Sequence, residues 1–173
     1  MKRVYSIPKN AGQRAIADII ENDIVEDYVS RGGVPPQSVR TIEDVFFEGR
    51  HIDIKTRDVD RDFSMPNLIS VDRLRKNKDK HIEYEFVDYM VNGDQAVIIN
   101  VKNIPIHEID WSVLRIQNLG LGQLQLLTTD TIPVYNGTKE DWYIRLVMET
   151  KSFYVRQIEK FQQMIENVNK QFN

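Results

Sequence analysis

The chain has no cysteine among its 173 residues. That excludes a disulfide framework, a thiolate zinc site and a cysteine nucleophile. It suits a reducing cytoplasm, the compartment expected for this chain. No apolar run approaches the ~18 residues of a membrane span, so no membrane partner is expected. Lys2 and Arg3 lead into no apolar core, and no signal peptide is expected there. Charge of one sign is scarce as well. Twenty-three basic side chains stand against 26 acidic ones, a net charge of −3, which excludes coating nucleic acid by bulk charge. Internal repeats and low-complexity tracts are missing.

What is present is an ordinary globular composition, 41% apolar and 28% charged, of a size for one domain spanning 1–173. Between residues 50 and 80 nine Lys or Arg face six acids, a local excess of +3. On its own such a stretch reads as a solvated basic face. Ile16, Ile19, Ile20, Ile24 and Tyr28 recur at helical spacing over residues 11–29, and Gly32-Gly33-Val34-Pro35-Pro36 stops that helix. Residues 39–47 and 50–56 alternate around Glu48-Gly49 and predict a β-hairpin. A loop is expected over 57–66 and a short helix over 67–76. A second hairpin, 82–91 with 95–101, turns at Asn92-Gly93-Asp94. Residues 111–117 are ambiguous, and 123–127 read as a short strand.

Thr138, with Asp141 three residues on, predicts a capping box. It opens a long helix to about Gln171, with an apolar stripe that includes Trp142, Leu146, Phe153, Ile158, Phe161 and Ile165. Helices and strands in this order predict an α/β or α+β sheet protein.

Asp53-Ile54-Lys55 is an acid-x-Lys triplet of the kind used by metal-dependent nucleases. About two such triplets are expected by chance from the composition, and two occur. The other, Glu149-Thr150-Lys151, lies in the C-terminal helix, where residues two apart do not face each other. The first has a context. On a strand, Asp53 and Lys55 share one face while Ile52 and Ile54 share the other. With Glu48-Gly49 as a two-residue turn, residues whose numbers sum to 97 lie opposite, so Asp44 faces Asp53. Like charges placed so repel unless compensated. A divalent cation such as Mg²⁺ would compensate them. A solvated hairpin face with Lys55 neutralising one acid would do so too.

Residues 52–57 (Ile-Asp-Ile-Lys-Thr-Arg) and 65–70 (Met-Pro-Asn-Leu-Ile-Ser) resemble the catalytic strand and following segment of the HincII/HindII restriction endonucleases, in the EcoRV-like branch of the PD-(D/E)XK nucleases. Ala11-Gly12, Ile109-Asp110-Trp111, Gln123-Leu124-Gln125 and residues 135–142 (Tyr-Asn-Gly-Thr-Lys-Glu-Asp-Trp) resemble further segments of that family, in the same order. The resemblance implies a mixed β-sheet flanked by helices, a homodimer on double-stranded DNA, and Mg²⁺-dependent cleavage of phosphodiester bonds. No small-molecule cofactor is implied.

By the same resemblance Asp44 and Asp53 hold the metal with the peptide oxygen of Ile54, and Lys55 is the catalytic lysine. Arg57, Ser64 and Asn67 approach DNA, and Asp110, Gln123 and Gln125 line the base-reading elements. The family's early helix acid is Gln13 here, so any third carboxylate comes from Asp18 or Glu21. Glu43, not proline, precedes Asp44, and Asp110 stands where the family has Asn. A freestanding homing or phage-type endonuclease and a non-cleaving DNA-binding module are the rival readings.

The remaining chemistry-bearing residues read as structure. His51, His81 and His107 lack metal spacing and are expected at the surface. Trp111 and Trp142 are expected as core anchors, and Gly120-Leu121-Gly122 as a turn.

Overall fold

A computed structural model describes residues 3–38, 42–61, 66–118, 120, 122–128 and 130–172. The main sheet has five strands in the order β1-β6-β5-β3-β2. They are β1 (Val4–Ser6), β2 (Val45–Phe47), β3 (Arg50–Asp58), β5 (His81–Asn92) and β6 (Gln95–Pro105). β3 and β5 run parallel and every other pairing is antiparallel, so the sheet is mixed. The crossover between β3 and β5 carries β4 (Asn67–Ser70) and the helix α2 (Val71–Lys76). A second, antiparallel sheet has the order β4-β8-β7, with β7 Leu114–Gln117 and β8 Gln123–Leu126. The mixed sheet with helices is the α+β arrangement that the order of elements predicts.

α1 (Gln13–Ser30) covers one face of the main sheet. Ile16, Ile20, Ile24 and Tyr28 pack there with Ile52, Ile54, Val87 and Tyr89, all buried. The helix ends where two glycines permit it. Gly32, at φ +97°, donates its N–H to Val29 O, and Gly33 N–H reaches back to Tyr28 O at 2.8 Å. The second core lies between the other face of β5, through Ile82, Tyr84 and Phe86, and the smaller sheet, α2 and the start of α3 (Lys139–Phe172). Trp142 is fully buried in this core and donates its indole N–H to Ile109 O at 2.8 Å. Trp111 stacks on it at 4.9 Å between ring centroids, so both tryptophans serve as anchors.

The capping box is present: Asp141 N–H donates to Thr138 Oγ1 at 3.1 Å, and Thr138 N–H donates to Asp141 Oδ2 at 3.3 Å. Among the described residues no helix is long and apolar enough to cross a membrane.

Two local expectations are corrected and one is refined. Residues 67–70 form a strand and only 71–76 a helix, because Asn67 and Ser70 pair with Gln125 and Gln123 across the smaller sheet. The stripe on α3 is not one covered face: Trp142, Leu146 and Phe153 are buried, whereas Ile158, Phe161 and Ile165 are exposed. His51 is not a free surface side chain. It packs on the Phe46 ring and lies 3.2 Å from Glu43.

Candidate active site

The hairpin forms as its turn dictates. Glu48 and Gly49 both have positive φ (49° and 80°), the geometry of a tight two-residue turn. Val45 pairs with Ile52, Phe46 with His51 and Phe47 with Arg50, the register summing to 97. β2 starts at Val45, one residue past Asp44. Asp44 still donates its N–H to Ile52 O at 2.8 Å, while its carboxylate Oδ2 accepts the N–H of Ile54 at 2.7 Å. A side chain thus replaces the main chain as partner of β3 at this point. Because successive peptides on a strand point to alternate edges, Ile52 O and Ile54 N–H place the Ile54 carbonyl on that same outer edge. The Lys55 ammonium donates to it at 3.4 Å.

Asp53 and Lys55 project from the face opposite Ile52 and Ile54, and Lys55 Nζ lies 2.6 Å from Asp53 Oδ2. Burial pushes the Asp53 carboxyl up to about 7; Lys55 opposes the shift, and Asp44, within hydrogen-bonding reach, adds to it. Glu21 on α1 is likewise raised, mainly by burial and further by Asp44, and its Oε1 accepts the Thr56 hydroxyl at 3.0 Å. Of the two helix acids, it is therefore Glu21 that stands toward Asp44 and Lys55. Asp18 is engaged by Arg14 at 2.8 Å.

Two clefts meet at Asp44. One of about 660 Å³ is lined by Asp44, Asp53, Arg73 and Gln123. The other, about 490 Å³, is lined by Glu21, Asp44, Lys55 and Asn67. Arg14 lines both and is 85% exposed at its side chain, so the acids sit beside a basic rim. Neither Arg14 nor Arg73 stands out in the sequence, since each lies one among many charged residues on a helix.

Much of the basic excess at 50–80 is neutralised within the fold. Arg50 pairs with Glu48 and Glu83, Arg57 with Asp88 and Asp130, Arg61 with Asp58, and Arg75 and Lys76 with Asp72. Arg57 is therefore held by two carboxylates. Gln125 is buried: it accepts from Arg115 Nε at 2.8 Å and donates to Asn67 Oδ1 at 3.4 Å, and Gln117 also donates to that Asn67 oxygen. Gln123 is the member of the glutamine pair that lines a cleft. Asp110 caps a short 3₁₀ turn by accepting from Ser112 N–H at 2.8 Å and lines neither cleft. Ser64 lies outside the described residues.

A family model of the restriction endonuclease HincII matches residues 36–173. The type II restriction enzymes HindII and HincII of Haemophilus influenzae are 25% and 24% identical to this chain over 155 residues. Each alignment covers 82% of this chain and 59% of the relative, so the chain spans about three fifths of the length of these relatives. Among solved structures the NlaIV restriction endonuclease superposes with a TM-score of 0.59 at 10% identity, covering 86% of this chain and 72% of that one. That likeness is one of fold. The family match takes in the hairpin with Asp44, Asp53 and Lys55, every strand but β1 and the whole of α3, and the chain belongs to the HincII restriction endonuclease family.

Proposed function

We propose that the chain is a Mg²⁺-dependent, sequence-specific endonuclease that cuts both strands of duplex DNA, of the type II restriction kind. The observation that carries this reading is the pair of carboxylates, Asp44 and the buried Asp53, beside Lys55 at the meeting point of two clefts.

The donor set fits a hard cation. Lys55 and Ile54 N–H each engage one oxygen of a carboxylate, and Asp53 carries a raised pKa because burial and Asp44 leave its charge under-compensated. Oxygens of Asp44 and Asp53 with the outward Ile54 carbonyl suit Mg²⁺, the rest of its shell being water. When bound, the cation supplies charge neutralisation at the phosphate and lowers the pKa of a water. Lys55, one hydrogen bond from Asp53, orients the attacking water and stabilises the charge that develops on the phosphoryl oxygens. Arg14 and Arg73 receive the flanking phosphates, and Gln123 and Asn67 face the groove. Glu21 lines the same cleft as Asp44 and Lys55, but among the described residues no three acids converge closely enough to hold one ion together.

A duplex has two strands and each chain has one such site, so two copies related by a two-fold axis make the double-strand cut. The family match supports the restriction reading over the homing one. The test is a supercoiled plasmid incubated with the purified chain. Nicked and linear products are expected with Mg²⁺ and none in EDTA, with ends that map to a short recurring sequence. Cleavage at full rate without any divalent cation would remove the metal mechanism. Binding without cleavage in Mg²⁺ would make the chain a DNA-binding module.

A further inference from the structure

The distal half of α3 presents a surface that the nuclease reading does not use. Its 34 residues make a rod of about 50 Å at ~1.5 Å per residue. The last residue that it buries is Phe153. From Tyr154 to Gln171 no side chain is buried. Most helical stability in proteins comes from packing an apolar face, and the free half carries such a face uncovered.

Positions 144, 147, 151, 154, 158, 161, 165 and 168 follow the alternating three-and-four spacing of a heptad seam. All but Lys151 are apolar or aromatic. Ile158 is 56% exposed, Phe161 56%, Ile165 61% and Val168 51%. The seam runs back onto the part of α3 that rests on the body, where Ile144 and Val147 are also exposed. The positions that flank it in the free half, 155, 157, 162, 164, 169 and 171, carry no charge. The five charged residues there, Arg156, Glu159, Lys160, Glu166 and Lys170, all lie on the outer face.

We propose that this seam pairs with the same seam of a second copy of this chain, as an antiparallel two-helix coil. Two observations select that occupant. The exposed apolar side chains of α3 leave on the order of 1,000 Å² in water, comparable to the ~800 Å² that each partner buries in a stable complex. A flank without charge offers nothing to a partner of opposite charge but is complementary to itself. Lys151 fixes the direction. In a parallel pair it would meet Lys151 of the other copy in the seam. In an antiparallel pair with Ile158 opposite Phe161, Lys151 falls opposite Val168 and its ammonium reaches water along its own stem. The same alignment sets Tyr154 opposite Ile165, so the paired stretch runs from Lys151 to Val168 on each helix.

The pairing does not rest on the nuclease reading, because it is measured without DNA. Analytical ultracentrifugation of the wild-type chain should show twice the 20.3 kDa monomer at micromolar concentration. Phe161→Glu and Ile165→Glu should each raise the dimer Kd by about 100-fold or more. Their near-ultraviolet dichroism should be unchanged, because both side chains are exposed and Trp111 and Trp142 lie in the body. Lys160→Gln, on the outer face, should leave the Kd as it is. The absence of native cysteine makes cross-linking clean. Ile165→Cys mixed with Tyr154→Cys should form the mixed disulfide, whereas Ile165→Cys alone should not. A wild-type chain that stays monomeric across the micromolar range overturns the proposal, whatever else the seam then binds. So does a glutamate variant that dimerises like wild type. Efficient self-cross-linking of Ile165→Cys would overturn the antiparallel direction.

Discussion

Replacing Lys55 by methionine is expected to lower the single-turnover cleavage rate by about 10²–10³-fold, the ~3–4 kcal/mol that a donor aimed at developing charge contributes. DNA affinity should stay within several-fold of wild type. The split follows from differential binding: an interaction made mainly with the transition state changes the rate and spares the ground state. The structure gives Lys55 another possible task, because its ammonium lies 2.6 Å from Asp53 and could serve only to neutralise that acid. That task has a different signature. The variant would bind more weakly, with a shallower dependence on salt, and cleave at a near-normal rate once saturated. Single-turnover rates at saturating enzyme, beside affinities at two salt concentrations, separate the two outcomes.

Asp53→Asn should abolish measurable cleavage and yet make the chain more stable above neutral pH. The sign follows from linkage. Burial raises the Asp53 carboxyl from 3.8 to about 7 in the folded chain, so folding favours the protonated acid. The stability that this supplies is fully present below the unfolded value near 4 and is lost as the pH rises through 7. Asparagine mimics the protonated acid and does not titrate. Without divalent cation the variant should therefore exceed wild type by on the order of 4 kcal/mol at pH 8, the difference shrinking to nothing near pH 4. Mg²⁺ should stabilise wild type and leave the variant unmoved. DNA binding without cation should hold or strengthen, since one negative charge facing the phosphates is gone. Thermal melts at the two pH values are the measurement. A variant with a lower melting temperature at pH 8 and a collapsed dichroism spectrum would make Asp53 a structural residue.

Local signals carried over from sequence to structure because they depend on few residues. The Glu48-Gly49 turn set the hairpin register, the two glycines closed α1, and Thr138 with Asp141 opened α3. The misses came where distant segments decide. Leu68 and Ile69 are adjacent apolar residues that suit a helix until Gln123 and Gln125 arrive to pair with their strand. The parallel pairing of β3 with β5 had no local trace, and it brings Glu83 and Asp88 against Arg50 and Arg57. A basic stretch in the sequence is thereby reduced in the fold. Asp18 and Glu21 lie three residues apart on one helix. What distinguishes them is that Arg14 engages the first and Thr56, on β3, the second. Periodicity placed an apolar stripe on α3 but could not say where the body stops covering it.

Beyond Ile52 the outer edge of β3 has no strand partner among the described residues, and bare edges of this kind recruit strands from other molecules. Here the Asp44 carboxylate occupies the Ile54 N–H and Lys55 leans over the Ile54 carbonyl. Two charges stand where a foreign strand would add. The groups assigned to chemistry thus also occupy the main-chain positions that a foreign strand would use. An inactive form made by neutralising Asp44 and Lys55 together would expose a sticky β-edge as well as losing its activity. Asp53→Asn removes the reaction and leaves both guards in place, which makes it the better form for trapping the complex with DNA.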